Sequence, residues 1–162
     1  MNKDRHCVYV IPEDGRNRQI ADGFILHHNV DDRRIQVMPE AGGWLPVLET
    51  FQAEYIQKLK NYLQAHVVML IDFDGCSDQR RAKFDETIPP ELKRRVFVVG
   101  SQQNSEKLKQ AMKLGFEEIG KSLADDCDAG NAELWAHEQL KHNDDERLRL
   151  VQTVKPFLFR TP

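Results

Sequence analysis

The feature that most constrains this chain is an apolar run that ends abruptly in two aspartates. Residues 67–71 (VVMLI) are of strand length and rich in β-branched side chains, and Asp72-Phe73-Asp74-Gly75 follows directly. An unbroken apolar run is typical of a strand that is buried on both faces, as in a parallel sheet covered by helices. Ligand sites in such sheets lie beyond the carboxyl ends of the strands, which is where both aspartates fall.

The spacing of the two aspartates favours a metal. Side-chain alternation along a strand would point Asp72 and Asp74 to the same side, with Phe73 opposite. Two carboxylates held close together repel each other unless a cation or a proton intervenes, which favours a hard divalent ion such as Mg²⁺. Aspartate and glycine also end strands because they suit turns, so the motif alone leaves both interpretations open.

Composition narrows the class of protein. A chain of 162 residues fits a single domain, and 40% hydrophobic with 30% charged residues predicts a soluble globular protein. No apolar run approaches a membrane span, and the first residues do not resemble a signal peptide. Three widely spaced cysteines predict free thiols in a reducing cytoplasm. A net charge of −3 argues against non-specific coating of nucleic acid but permits a focused basic groove.

The order of elements predicts an α/β domain over residues 1–162 with a central, mostly parallel four-stranded sheet flanked by helices. Strands are expected at residues 6–11, 35–38, 67–71 and 95–99. Helices are expected at residues 16–28, 46–64, 105–114, 116–127, 133–142 and 144–153, with a short helical segment near 80–83 and a final extended piece at 155–160. The apolar face of the 46–64 helix carries Leu48, Phe51, Tyr55, Leu59 and Leu63.

A second acidic turn, Glu13-Asp14-Gly15, follows the first predicted strand. If the first and third strands are neighbours, Glu13, Asp72 and Asp74 could share one metal site. An acid after the first strand and a DxD after the third is an arrangement that resembles the TOPRIM domains of topoisomerases, primases and related nucleases. The resemblance covers about residues 6–115 and is closest to small, overcoming-lysogenization-defect-type members, with residues 116–162 as an additional helical extension.

This resemblance implies a Rossmann-like sheet, a Mg²⁺ or Mn²⁺ cofactor, and phosphodiester chemistry on DNA or RNA. It assigns metal binding and acid–base work to Glu13, metal binding to Asp72 and Asp74, and an assisting role to a late lysine, for which Lys155 is the candidate. Nuclease-type members often carry an acid four residues after the glutamate, where this chain has Asn17. That departure weakens a two-metal version of the site.

Basic residues near the same edge could hold a phosphate backbone. The candidates are Arg16, Arg80 and Arg81, together with Arg18 and Lys83. The alternative for each of them is a solvated charged surface, which a lone surface arginine usually forms.

Two other functions remain open from the sequence. The DFDG segment also resembles the nucleophile strand of haloacid dehalogenase phosphatases, in which Asp72 would attack phosphate and Asp74 would act as acid and base. The remaining parts of that site would be Ser101, Lys121 and the pair Asp125-Asp126, although Cys76 stands where that family usually has threonine. The third possibility is a non-catalytic binding module, with the C-terminal helices as a protein-partner or homodimer surface or as a cover for the sheet.

Overall fold

The apolar run that precedes the two aspartates lies at the centre of a four-stranded sheet in the computed structural model, which describes residues 5–160. The strands are β1 (Cys7–Pro12), β2 (Ile35–Val37), β3 (Ala65–Leu70) and β4 (Val96–Val99), in the spatial order β2-β1-β3-β4. All three pairings are parallel. The predicted α/β class and parallel sheet are therefore confirmed, and the architecture is Rossmann-like.

One face of the sheet is covered by the chain that links β2 to β3 and β3 to β4. This layer contains α2 (Trp44–Thr50), a π-helical turn (Phe51–Tyr55), α3 (Ile56–Asn61), α4 (Ser77–Thr87) and a 3₁₀ helix (Pro90–Arg95). The predicted apolar face from Leu48 to Leu59 is buried. Leu63 is 71% exposed, contrary to prediction, because α3 ends before it and the chain turns toward β3.

The opposite face is covered by α1 (Gly15–Ile25), α5 (Ser105–Met112), α6 (Phe116–Ala129), α7 (Asp144–Thr153) and α8 (Lys155–Leu158). Within this layer, α1 and α6 approach each other backbone to backbone. A Cβ atom at Gly23 would lie 2.0 Å from the carbonyl oxygen of Glu117, and one at Gly120 would lie 1.8 Å from that of Ile20. Glycine at both crossing points therefore sets the distance between the two helices.

The outer edge of β4 is occupied by side chains. Because the Val99 carbonyl accepts from β3, the backbone groups of Val96 and Val98 face outward. Arg149 donates to the Val96 oxygen at 2.9 Å, and Glu146 accepts from the Val98 nitrogen at 2.8 Å. Arg81 of α4 donates to the Val98 oxygen at 2.8 Å. These contacts give the edge strand hydrogen-bond partners that a fifth strand would otherwise supply.

Two predicted segments near the end of the chain are wrong. Residues 133–140 form turns and Lys141–Asn143 a 3₁₀ helix instead of one α-helix. His137 Nδ1 accepts at 3.0 Å from the Gln139 N–H, which an α-helix would direct to the Trp135 carbonyl. Residues 155–158 form the short helix α8 rather than an extended piece, since proline in its first turn is compatible with helix. Only Phe159 pairs as a strand, with Val30.

Across the described part of the chain, every helix is too short or too polar to span a bilayer.

Candidate functional site

Three carboxylates meet beyond the carboxyl edge of the sheet. Glu13 directly follows β1 and Asp72 lies two residues after β3, and these two strands are neighbours. One ligand atom each from Glu13, Asp14 and Asp72 lies within 4.8 Å of the others. The strand order thus supplies the condition under which the sequence predicted that the glutamate and the first aspartate would come together.

Hydrogen bonds fix one oxygen of each carboxylate. The Asp72 backbone N–H donates to Glu13 Oε2 at 2.9 Å. Asp72 Oδ1 accepts from Asn17 Nδ2 at 3.2 Å and from the Ser105 backbone N–H at 3.1 Å. Asp14 Oδ1 accepts from the backbone and side-chain nitrogens of Asn17 at 2.9 and 3.1 Å. Among residues 5–160, the second oxygen of each carboxylate has no hydrogen-bond donor, so three oxygens remain open to a ligand.

The start of α1 positions Asp14 and Asn17 at the site. Asp14 is the N-cap of that helix, and Asn17 lies one turn in and is 1% exposed. The Asn17 amide joins Asp14 to Asp72, so Asn17 acts as a bridge between two carboxylates. The sequence did not identify Asp14 as a site residue. The signal that could have identified Asp14 is its position just before the predicted helix, because the side chain of an N-cap aspartate is held at the helix end.

Burial shifts the titration of both strand-end carboxyls. Loss of solvation, helped by the negative charges of Asp72, Asp14 and Asp74, raises the pKa of Glu13 from 4.5 to about 7, against the lowering effect of the hydrogen bond from the Asp72 N–H. Loss of solvation likewise raises the pKa of Asp72 from 3.8 to about 6, against the lowering effect of the hydrogen bond from Asn17. Both carboxyls therefore take up a proton closer to neutral pH than free carboxyls do, and a bound cation would compete with that proton.

Asp74 lies at the rim of the cluster rather than within it. The expected alternation with Asp72 fails because β3 ends at Leu70 and Asp74 adopts a left-handed φ of 50°. Its side chain is 54% exposed and pairs with Arg80 at 2.7 Å. Asp72 is held inside, whereas Asp74 faces solvent.

The three arginines predicted to hold substrate occupy different environments. Arg16 is exposed in the first turn of α1, next to the carboxylates along the chain. Arg80 donates to Asp74 and to the Asp72 backbone oxygen, and its guanidinium lies 4.5 Å from the Trp44 ring centre. Arg81 turns inward, where burial lowers its pKa. The geometry leaves Arg16 open to solvent and commits the other two to contacts within the protein.

A buried polar cluster supports the turn that carries Asp72. Phe73 is fully buried, lies 4.6 Å from the Arg81 guanidinium and packs edge-on against His142. The amide of Asn143 pairs with both backbone groups of Gly100, at 3.2 and 2.9 Å, and its oxygen accepts from Arg81 at 2.6 Å. Gly100 in turn abuts β3, because a Cβ there would lie 1.5 Å from the Ile71 carbonyl oxygen.

Replacing Asn143 with alanine is expected to lower the free energy of unfolding by about 3 kcal/mol, because several buried partners lose their hydrogen bonds. Urea unfolding followed by circular dichroism measures the change. Asn131→Ala is the matched control, since Asn131 is exposed. A loss for Asn143→Ala no larger than that of the control would show that the cluster does not support the turn.

Several other candidate residues lie away from the carboxylates. α8, which carries Lys155, is tied by the Leu158 oxygen to Asp31 ahead of β2, at the amino ends of the strands. Asp125 pairs at 2.9 Å with His27, beyond the far end of α1. Asp126 accepts from Leu134, and Lys121 is exposed on α6. The structure therefore does not assemble the lysine and distal acids of a phosphatase site around Asp72.

A second group of possible metal ligands lies where α1 and α6 end. One ligand atom each from His27, His28 and Asp128 lies within 4.8 Å of the others. His27 is buried; its Nε2 contacts Asp125, and its Nδ1 accepts from the Asn29 backbone N–H at 3.1 Å. Because Asp125 and the Asn29 N–H already contact both ring nitrogens, His27 links the end of α1 to α6.

Comparison with known proteins finds no matching family model, no matching curated protein and no matching solved structure.

Proposed function

We propose that this protein catalyses divalent-metal-dependent phosphodiester chemistry on nucleic acid, with Glu13 and Asp72 at its centre. The observation that carries the proposal is the meeting of Glu13, Asp14 and Asp72 beyond neighbouring parallel strands. The choice of nucleic acid as substrate is supported by the resemblance of the glutamate and the DxD to TOPRIM nucleases.

The chemistry of the donor set fits a hard cation. All three side chains offer carboxylate oxygens, which are the ligands that Mg²⁺ and Mn²⁺ prefer. Each has one oxygen fixed by the protein and one without a donor among the described residues. The raised pKa values of Glu13 and Asp72 show that the apo site disfavours full ionisation, and a bound cation would relieve that cost.

The roles of the side chains follow from their positions. A divalent cation, when bound, would polarise a phosphoryl oxygen and stabilise developing negative charge. Glu13, with a pKa of about 7, is suited to take a proton from an attacking oxygen. Asn17 holds Asp14 and Asp72 in place, and the exposed Arg16 can contact a phosphate at the entrance.

Metal titration tests the site. Calorimetry with Mn²⁺ and Mg²⁺ on the wild type, Glu13→Gln and Asp72→Asn is expected to show binding that either substitution weakens at least tenfold. Asp85→Asn is the control, because Asp85 is an exposed acid on α4 that pairs with Lys93. Equal affinities in all four proteins would refute the metal site.

Cleavage assays then test the reaction. We expect hydrolysis of labelled single- or double-stranded DNA or RNA that needs the metal and that falls at least about 100-fold in Glu13→Gln. Hydrolysis of p-nitrophenyl phosphate without nuclease activity would favour the phosphatase. Metal binding without hydrolysis of either substrate would favour a regulatory module.

A further inference from the structure

A cavity of about 120 Å³ lies against the face of the sheet that α1, α6, α7 and α8 cover. It is separate from the carboxylates, which lie beyond the carboxyl edge of the strands. Its walls are almost entirely aliphatic and aromatic. The lining residues include Val68 and Leu70 of β3, Leu150 and Val151 of α7, and the cations Arg147 and Lys155.

The cavity interrupts the packing of the central strand. Val68 and Leu70 belong to β3, which has a neighbour on each side, yet both side chains are only partly buried. Leu150 and Val151 on the covering helix α7 are partly buried as well. These four side chains therefore lack close packing on the side that faces the cavity. Apolar cavities of comparable size bind benzene-sized molecules, because atoms that line an empty space lose contacts that a guest restores.

Two cationic side chains, Arg147 and Lys155, also line the cavity. Arg147 pairs with Asp144 at 2.8 Å, and its side chain is 17% exposed. Lys155 is half-buried and has no carboxylate partner among residues 5–160. A partly buried ammonium group beside apolar walls is a site for an anionic head group attached to an apolar body.

We propose that this cavity binds a small amphipathic carboxylate, with an apolar group of about six carbons among the α7 and β3 side chains and its carboxylate on Lys155. Either a short aliphatic acid or an aromatic acid has this chemistry. The proposal does not depend on the function of the carboxylate cluster and assigns Lys155 to a different site.

Titrations followed by ¹H–¹⁵N correlation spectra test the proposal, with hexanoate, benzoate and hexanol as probes. Saturable shifts confined to residues around the cavity are expected with hexanoate, benzoate or both, and the stronger of the two identifies the class of acid. Lys155→Gln is expected to weaken carboxylate binding about tenfold and to leave hexanol binding unchanged.

A variant that fills the cavity provides a second test of the proposal. Val151→Phe is expected to abolish binding of all three probes while the rest of the spectrum stays dispersed, and Leu150→Phe replaces it if that variant fails to fold. Three results would overturn the proposal: no saturable binding of either carboxylate, binding that survives filling of the cavity, or carboxylate affinity that Lys155→Gln leaves unchanged.

Discussion

Replacing Gly120 with alanine is expected to lower the free energy of unfolding by about 3 kcal/mol or more. The added methyl would lie 1.8 Å from the backbone oxygen of Ile20, and a backbone atom cannot move aside as a flexible side chain can. α1 and α6 would have to separate, which would open the packing around Ile119 and Leu123. The gain in helix propensity of about 1 kcal/mol for alanine over glycine does not offset this loss.

Gly15→Ala is the matched control for this prediction. Gly15 begins α1, and a Cβ there would meet nothing within 4 Å. Its replacement should therefore leave stability unchanged or raise it slightly. Urea unfolding of both variants and the wild type measures the contrast. If Gly120→Ala were as stable as Gly15→Ala, the close backbone approach of the two helices would be wrong.

Without metal, the stabilisation that protonated Glu13 and Asp72 give the folded state is expected to be lost as the pH rises from about 5 to about 8. The folded-state pKa of Glu13, about 7, lies above its ordinary value of 4.5, and that of Asp72, about 6, lies above 3.8. At these two groups the folded state therefore binds more protons than the unfolded state between these values. The stabilisation due to protonation is complete below the ordinary pKa values and is lost as the pH passes through the raised ones.

Glu13→Gln should remove the larger part of this dependence. Glutamine keeps an oxygen that can accept from the Asp72 N–H but carries no charge to desolvate. Near pH 8 we expect the variant to be more stable than the wild type by roughly 2–3 kcal/mol, and near pH 4 we expect the two curves to converge. Thermal unfolding in EDTA across this pH range measures the difference.

Two comparisons make the pH prediction decisive. Glu40→Gln is the control, because Glu40 is exposed and forms only a surface pair with Arg18. Adding Mn²⁺ should stabilise the wild type more at about pH 8 than at about pH 5, since protons compete with the cation for the same oxygens. A Glu13→Gln variant whose stability follows the same pH dependence as the wild type would contradict the raised pKa of Glu13.

The sequence predicted β1, β3 and β4 well because each is a largely apolar run that the helices on the two faces of the sheet cover. Residues 67–71 locate β3 to within two residues, because a continuous apolar run of this length that is rich in β-branched residues is typical of a strand inside a parallel sheet. The meeting of Glu13 and Asp72 followed once β1 and β3 were adjacent. The strand order itself had to come from the structure, because pairing depends on how the connections pack.

What the sequence missed depends on local backbone conformation. The inward position of Asp72 and the outward position of Asp74 result from a left-handed residue after the strand has ended. The bridging role of Asn17 needs the first turn of α1 to lie beside β3. The inward turn of Arg81 depends on Asn143, 62 residues further along the chain. The hydrophobic periodicity of a sequence does not predict contacts of that kind.

The side chains on the edge of β4 also constrain the order in which this protein can complete its fold during synthesis. Domains generally fold from the N-terminal side as the chain emerges, but β4 emerges well before Glu146 and Arg149. In that interval the outward groups of Val96 and Val98 have no partner from α7 and can pair with strands of other chains. Chaperone demand should therefore be highest after β4 has been translated and before α7 is complete.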